Sequence, residues 1–119
     1  MIKEIENPDA PLILGLEASG EQACVALTRG HQVIHEITLA QRHGHAHSFV
    51  SMAKACLEEA SFQFKDLDII AAGVGPGSFT GLRVCLSAAT GFALAGQITA
   101  IGVNGLRARA FAAREAEGV

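Results

Sequence analysis

Apolar positions along this chain repeat with two different periods. "LILGLEAS" (Leu12–Ser19) is a short apolar run, opened by Pro11 and closed before Gly20, and predicts a buried strand. "QACVALT" (Gln22–Thr28) predicts a second strand and "HQVIHEITLA" (His31–Ala40) a third, with Arg29-Gly30 as the turn between them. The links are too short for crossovers, so the three strands form an antiparallel meander. The period then lengthens. Phe49, Met52, Ala53, Cys56, Leu57 and Ala60 recur at three- and four-residue steps, while Ser51, Lys54, Glu58 and Glu59 take the other side. That spacing predicts an amphipathic helix of about four turns from His47 to Ala60. "DLDIIAAGVG" (Asp66–Gly75) returns to a strand, and its unbroken apolar run suggests burial on both faces, as in a parallel sheet. A glycine-rich loop follows, then a helix over about Phe79–Ala95, a fifth strand at "ITAIGV" (Ile98–Val103), and the start of a further helix in "NGLRARAFAAREAEGV". The element order is βββαβαβα, with no internal repeat and no low-complexity linker.

Composition narrows the class. The 119 residues, half of them hydrophobic, suit one domain with a real core. There is no Trp or Tyr, and the net charge is −3, which argues against a large electrostatic footprint for nucleic acid. Cys24, Cys56 and Cys85 lie far apart without a CxxC pair, which reads as reduced, buried thiols in a cytoplasmic protein. "MIKEIENPDA" is polar and acidic, unlike a signal peptide, and no apolar run reaches membrane-spanning length.

Four features are candidates for chemistry. In "GLEASGEQACVAL" an acidic strand end precedes a Ser-Gly turn, so Glu17, Ser19 and Gly20 form a hairpin whose free N–H groups suit an anion; an ordinary β-turn has the same residues. In "GPGSFTGLR", Gly75, Gly77 and Gly81 allow close backbone approach, Ser78 or Thr80 caps the next helix, and that helix N-terminus attracts anions. The motif is not a Walker A loop, because Leu82 stands where Lys is needed, nor a GxGxxG fingerprint; tight strand-to-helix packing explains the same glycines. The alternating His43, His45 and His47 tempt a metal reading, but no carboxylate or cysteine follows at ligand spacing and the stretch is read as loop, so no metal site is assigned. The helix after the glycine loop carries no charge between Arg83 and Gly96. Leu82, Cys85, Leu86, Ala89, Ala93 and Gly96 make one face, and Val84, Ala88, Gly91 and Ala95 fill much of the rest. A helix apolar nearly all round is buried nearly all round, so its second face needs another helix, domain or chain.

Together these residues resemble the bacterial TsaB (YeaZ) family of threonylcarbamoyladenosine biosynthesis on tRNA. The resemblance rests on "ILGLEASGEQACVAL", on His47-Ser48 at a helix start, and above all on "GVGPGSFTGLRVCLSAATGFALAG" followed by "IGVNGL", and it spans about Pro11 to Ala113. The first motif departs from the usual Asp-Thr-Ser, which here is Glu17-Ala18-Ser19. The resemblance implies an actin-like, sugar-kinase-like α/β fold of the ribonuclease-H type with a five-stranded mixed sheet, which agrees with the element order. It implies a cytoplasmic, noncatalytic partner of a TsaD-type transferase, with a TsaE-type ATPase in the wider complex, tRNA contacted only indirectly, a homodimer as a further pairing, and no cofactor or membrane. Glu17, Ser19, Gly20, Gly75, Gly77, Ser78, Thr80 and Gly81 would then be a vestigial phosphate loop. The partner surface would comprise His47, Leu82, Arg83, Ala88, Gly91, Phe92 and Ala95.

The alternative is an ATP-binding enzyme fragment of the same superfamily, either a TsaD-like transferase or a metallopeptidase. TsaD-type proteins carry an HxxxH metal pair just after the fifth strand; the matching positions here are Gly105 and Arg109, and no histidine follows His47. The expected organisation is a polar tail over residues 1–10, the actin-like domain over 11–104, and over 105–119 the start of a helix leading to a second domain that this sequence lacks.

Overall fold

The computed structural model describes residues 7–19, 22–40, 46–75 and 79–104. The readings placed on residues 1–6 of the polar tail, on Gly20, His43, His45, Gly77 and Ser78, and on the segment 105–119 lie outside them. The elements run β1 (Leu12–Ser19), β2 (Gln22–Arg29), β3 (Gln32–Ala40), α1 (Ala46–Glu59), β4 (Ile69–Gly75), α2 (Phe79–Gly96) and β5 (Thr99–Asn104). They form a five-stranded mixed sheet in the order β3-β2-β1-β4-β5. β1 pairs antiparallel with β2, and β2 with β3, as the short links require. β1–β4 and β4–β5 are parallel, each joined across a helix. A single 3-10 turn at Phe64–Asp66 precedes β4, where the sequence reading has already begun the strand.

Side-chain alternation builds the core. Leu12, Leu14 and Leu16 of β1 point to one face with Val25 and Leu27 of β2 and Ile70 and Ala72 of β4, all buried. Both helices cover that face. α1 contributes Phe49, Met52, Ala53, Cys56 and Leu57, and α2 contributes Cys85, Ala88 and Ala89. Each buried leucine is worth roughly 1.5–3 kcal/mol in apolar area. On the opposite face Ile13, Gly15, Ala26, Ile69, Ala71 and Gly73 are only half-buried. The expectation that β4 is buried on both sides is therefore met on one side among the described residues, because α1 and α2 lie on the same side of the sheet.

The N-terminal entry to β1 is held by polar contacts. Asp68 Oδ2 accepts the Leu12 N–H at 2.8 Å, and the Asp68 N–H donates to the Leu12 carbonyl at 2.9 Å. Arg29 donates to the carbonyls of Pro8 and Ala10, and its guanidinium lies 5.6 Å from the centre of the Phe62 ring. Gly30 turns the β2–β3 hairpin at φ +62°, and a Cβ there would lie 3.1 Å from that of Ala10. Only glycine takes that conformation without strain and also clears Ala10.

Candidate functional site

The parallel strands β1, β4 and β5 all end at one edge of the sheet, at Ser19, Gly75 and Asn104. Both loop motifs singled out in the sequence therefore leave the sheet at the same end, where ligand sites of open α/β sheets collect. Ser19 closes β1, Gly75 closes β4, and Thr80, Gly81 and Leu82 lie in the first turn of α2. His47 lies in the first turn of α1.

Glu17 is exposed on the face away from the helices, opposite Cys24 of β2. Gly73 of β4 stands beside it: a Cβ on Gly73 would come within 3.3 Å of Glu17 Cγ. The missing side chain is what lets the glutamate lie across the sheet. Glu17, Cys24 and Val103 rim an open depression of about 220 Å³ whose floor includes Gly15, Ala26 and Ala71. Burial pushes the Cys24 thiol above its ordinary pKa. The hydrogen bond with Thr38 opposes that shift, and the carboxylates of Glu36 and Glu17 add to it. Cys24 is thus a poor nucleophile at neutral pH. Cys56 and Cys85 are pushed up to about 11, mainly by burial, and their thiols face the carbonyls of His35 and Leu16 at 3.6 and 3.1 Å. Among the described residues no group of three His, Cys, Asp or Glu side chains is placed to hold a metal ion, and no helix is long and apolar enough to cross a membrane.

The second candidate is the outward face of the helix layer. Arg83, Gly91 and Ala95 are exposed there. Ala88 is not: it is 7% exposed and packs in the core. The face assignment is corrected by one helical step, since the inward stripe is Cys85, Ala88, Ala89 and Phe92. Phe92 is half-buried with its ring centre 5.3 Å from that of Phe64. Leu86, read as facing the sheet, is 41% exposed, and Leu94 is 76% exposed. The sequence reading passed over Leu94 and Val50 of α1, itself 51% exposed. Their signal was present in the spacing: Leu86, Thr90 and Leu94 follow Arg83 at three- and four-residue steps on one stripe.

The family model for TsaD, described as tRNA N6-adenosine threonylcarbamoyltransferase, matches residues 32–119. The chain is 36% identical over 103 residues to the tRNA threonylcarbamoyladenosine biosynthesis protein TsaB of Haemophilus influenzae, covering 87% of this chain and 43% of that protein. It is 33% identical over 115 residues to a tRNA N6-adenosine threonylcarbamoyltransferase of Prosthecochloris aestuarii, covering 85% of this chain and 33% of that one. The solved structure of YeaZ from Pseudomonas aeruginosa superposes with a TM-score of 0.78 at 30% identity, over 91% of this chain and 50% of that chain. The chain spans half or less of the length of these relatives. The match over residues 32–119, the TsaB identity and the YeaZ superposition agree with the strand order and the glycine motif: the chain belongs to the TsaD family of threonylcarbamoyladenosine biosynthesis, and within it to the TsaB (YeaZ) group.

Proposed function

We propose that this chain is a noncatalytic partner in threonylcarbamoyladenosine formation on tRNA and acts by binding a TsaD-type transferase through the outward face of α1 and α2. One observation carries the reading: a stripe on α2 that bears no charge beyond Arg83 leaves Leu86 and Leu94 in solvent beside small residues, and Val50 of α1 is exposed on the same layer. An apolar patch on a helix layer is suited to another helix layer. The same surface serves pairing of two copies, a TsaE-type ATPase belongs to the wider complex, and tRNA is reached through the partner. Glu17 and the glycine loop are retained for the shape of the turn, with no cofactor, in a cytoplasmic setting.

The transferase names of some relatives support a second reading, an ATP-binding enzyme fragment. Two measurements separate them. Co-purification with the transferase homologue of the same organism is expected to give a stable complex, lost on Leu94→Asp with the circular dichroism unchanged. Isothermal titration with magnesium-ATP is expected to give no saturable heat in the low-micromolar range. Stoichiometric nucleotide binding with turnover, and no complex, would establish the enzyme reading instead.

A further inference from the structure

The two edges of the sheet differ. β3 is one edge and β5 the other. β3 holds Glu36 in solvent, and its pairing with β2 slips between Leu27 and Thr28. A charge and an irregular register both discourage a further strand. β5 has neither. Its sequence, TAIGVN, contains no charge and no proline. Its register with β4 runs unbroken from Thr99 to Val103, and the shift in that pairing falls beyond, between Gly73 and Gly75. Thr99, Ala100, Ile101 and Gly102 are all exposed. Ala100 and Gly102 lie beside Ile70 and Ala72, which the helices bury, so the helix layer ends over β4 and leaves β5 uncovered on that side. Five regular, uncharged residues present an edge of about 17 Å, with its backbone donors and acceptors, to a strand of matching length.

We propose that β5 of a second copy pairs with this edge, antiparallel, about a two-fold axis normal to the sheet. β5 is complementary to itself in one register. With Ile101 on the axis, Ile101 faces Ile101, Thr99 faces Val103 and Ala100 faces Gly102. Opposed residues of an antiparallel pair point to the same side, so the β-branched side chains all meet on one side and the small ones on the other. β-branched side chains suit the pleated surface and pack on their cross-strand neighbours. Charge selects this occupant. β5 against β5 brings no charges together. β5 against the β3 edge sets Glu36 beside an apolar strand and, being head-to-tail, leaves an open edge at each end. The direction of the axis has a consequence. Both helix layers lie on the same side of one continuous sheet, five strands from each copy. The pair therefore leaves the outward face of α1 and α2 free in each copy and turns two such faces in one direction, an arrangement suited to bivalent binding. One strand pair buries less than the roughly 1,200 Å² of a standard interface, so the dimer is weak and forms at high protein concentration.

Every chain tested carries Leu94→Asp, which silences pairing through the helix layer, so failure of this pairing and failure of the partner reading show separately. Sedimentation velocity of the Leu94→Asp chain is expected to move from monomer to dimer as concentration rises. Adding Ile101→Lys or Ile101→Glu sets two like charges face to face on the axis, and each is expected to weaken the dimer at least tenfold. An equimolar mixture of the two is expected to recover it, since lysine then faces glutamate. A Leu94→Asp chain that stays monomeric up to its solubility limit would overturn the proposal. So would undiminished dimers of the single variants, a mixture no more associated than its components, or species that grow past the dimer, which mark β5 on β3. Far-UV circular dichroism checks that each chain is folded. If an Ile101 variant unfolds, Thr99→Lys is read in its place: a dimer at least threefold weaker supports the pairing, and an unchanged one overturns it.

Discussion

Gln97 holds φ +53° just after α2, and Ser61 holds φ +63° just after α1. Both are left-handed closures with the crossed hydrogen bond of a Schellman motif: the Ile98 N–H reaches the Ala93 carbonyl and the Phe62 N–H the Leu57 carbonyl, each at 2.9 Å. Glycine is the residue this position favours, yet Gly96 stands one place too early. Its missing side chain is what the helix end uses, since a Cβ there would meet Ile98 Cδ1 at 2.7 Å. Gln97→Gly is therefore expected to stabilise the chain by about 1 kcal/mol, read as a raised urea midpoint with an unchanged slope. The buried thiols set an upper pH limit. Folding holds Cys56 and Cys85 at about 11 against an ordinary 9.0, so the folded state keeps protons that the unfolded state releases. Their contribution is full below about pH 9 and is lost as pH rises towards 11. The urea midpoint is expected to fall between pH 8 and 10.5, and Cys85→Ala to make that fall shallower.

At the scale of elements, the runs and periods of the sequence locate every described strand and helix to within about three residues. β1 is legible to the residue because Pro11 and Gly20 bracket it. β4 is not: Leu67 is buried and looks like strand, but the chain is still turning through Phe64–Asp66, where the Gln63 N–H donates to Asp66 Oδ2 at 2.8 Å. Helix faces are the harder problem. α1 mixes apolar and charged residues, so its inward stripe is plain. α2 is apolar nearly all round, so hydrophobicity alone cannot rank its faces, and only packing against β1 and β4 turns Ala88 inward and Leu94 outward. The consequence is a contrast between two alanines. Ala88→Asp buries an unpaired carboxylate and is expected to cost about 3 kcal/mol or more, enough to lower soluble yield and the thermal midpoint. Ala95→Asp lies on an exposed position and is expected to shift stability by no more than about 0.5 kcal/mol. Differential scanning calorimetry of the pair checks the corrected face; equal losses would return Ala95 to the core.

The whole molecule shows where sequence reasoning stops. Topology followed from link lengths and the order of periods, since a short link dictates an antiparallel neighbour and a helix dictates a parallel one. What covers the second face of the sheet did not follow, because both helices take the first. The candidate site divides in the same way: Glu17 and the loop glycines announce themselves by type and spacing, while the outward stripe of α2 exists only once its inward stripe is known. Gly91 lies where these scales meet. It is exposed in the middle of α2, and a Cβ there would meet nothing within 4 Å. In the chain by itself that glycine costs helix stability for no visible packing gain, about 1 kcal/mol relative to alanine. Gly91→Ala is thus expected to raise the thermal midpoint by several degrees. A close helix-to-helix contact supplies the missing reason for glycine, because an added methyl would hold the partner backbone away. The same variant is then expected to weaken binding to the transferase homologue by tenfold or more in a titration, opposite in sign to its effect on folding. A stabilised variant that binds like the parent would place the contact away from Gly91 and leave Leu86, Leu94 and Val50 to be tested one by one.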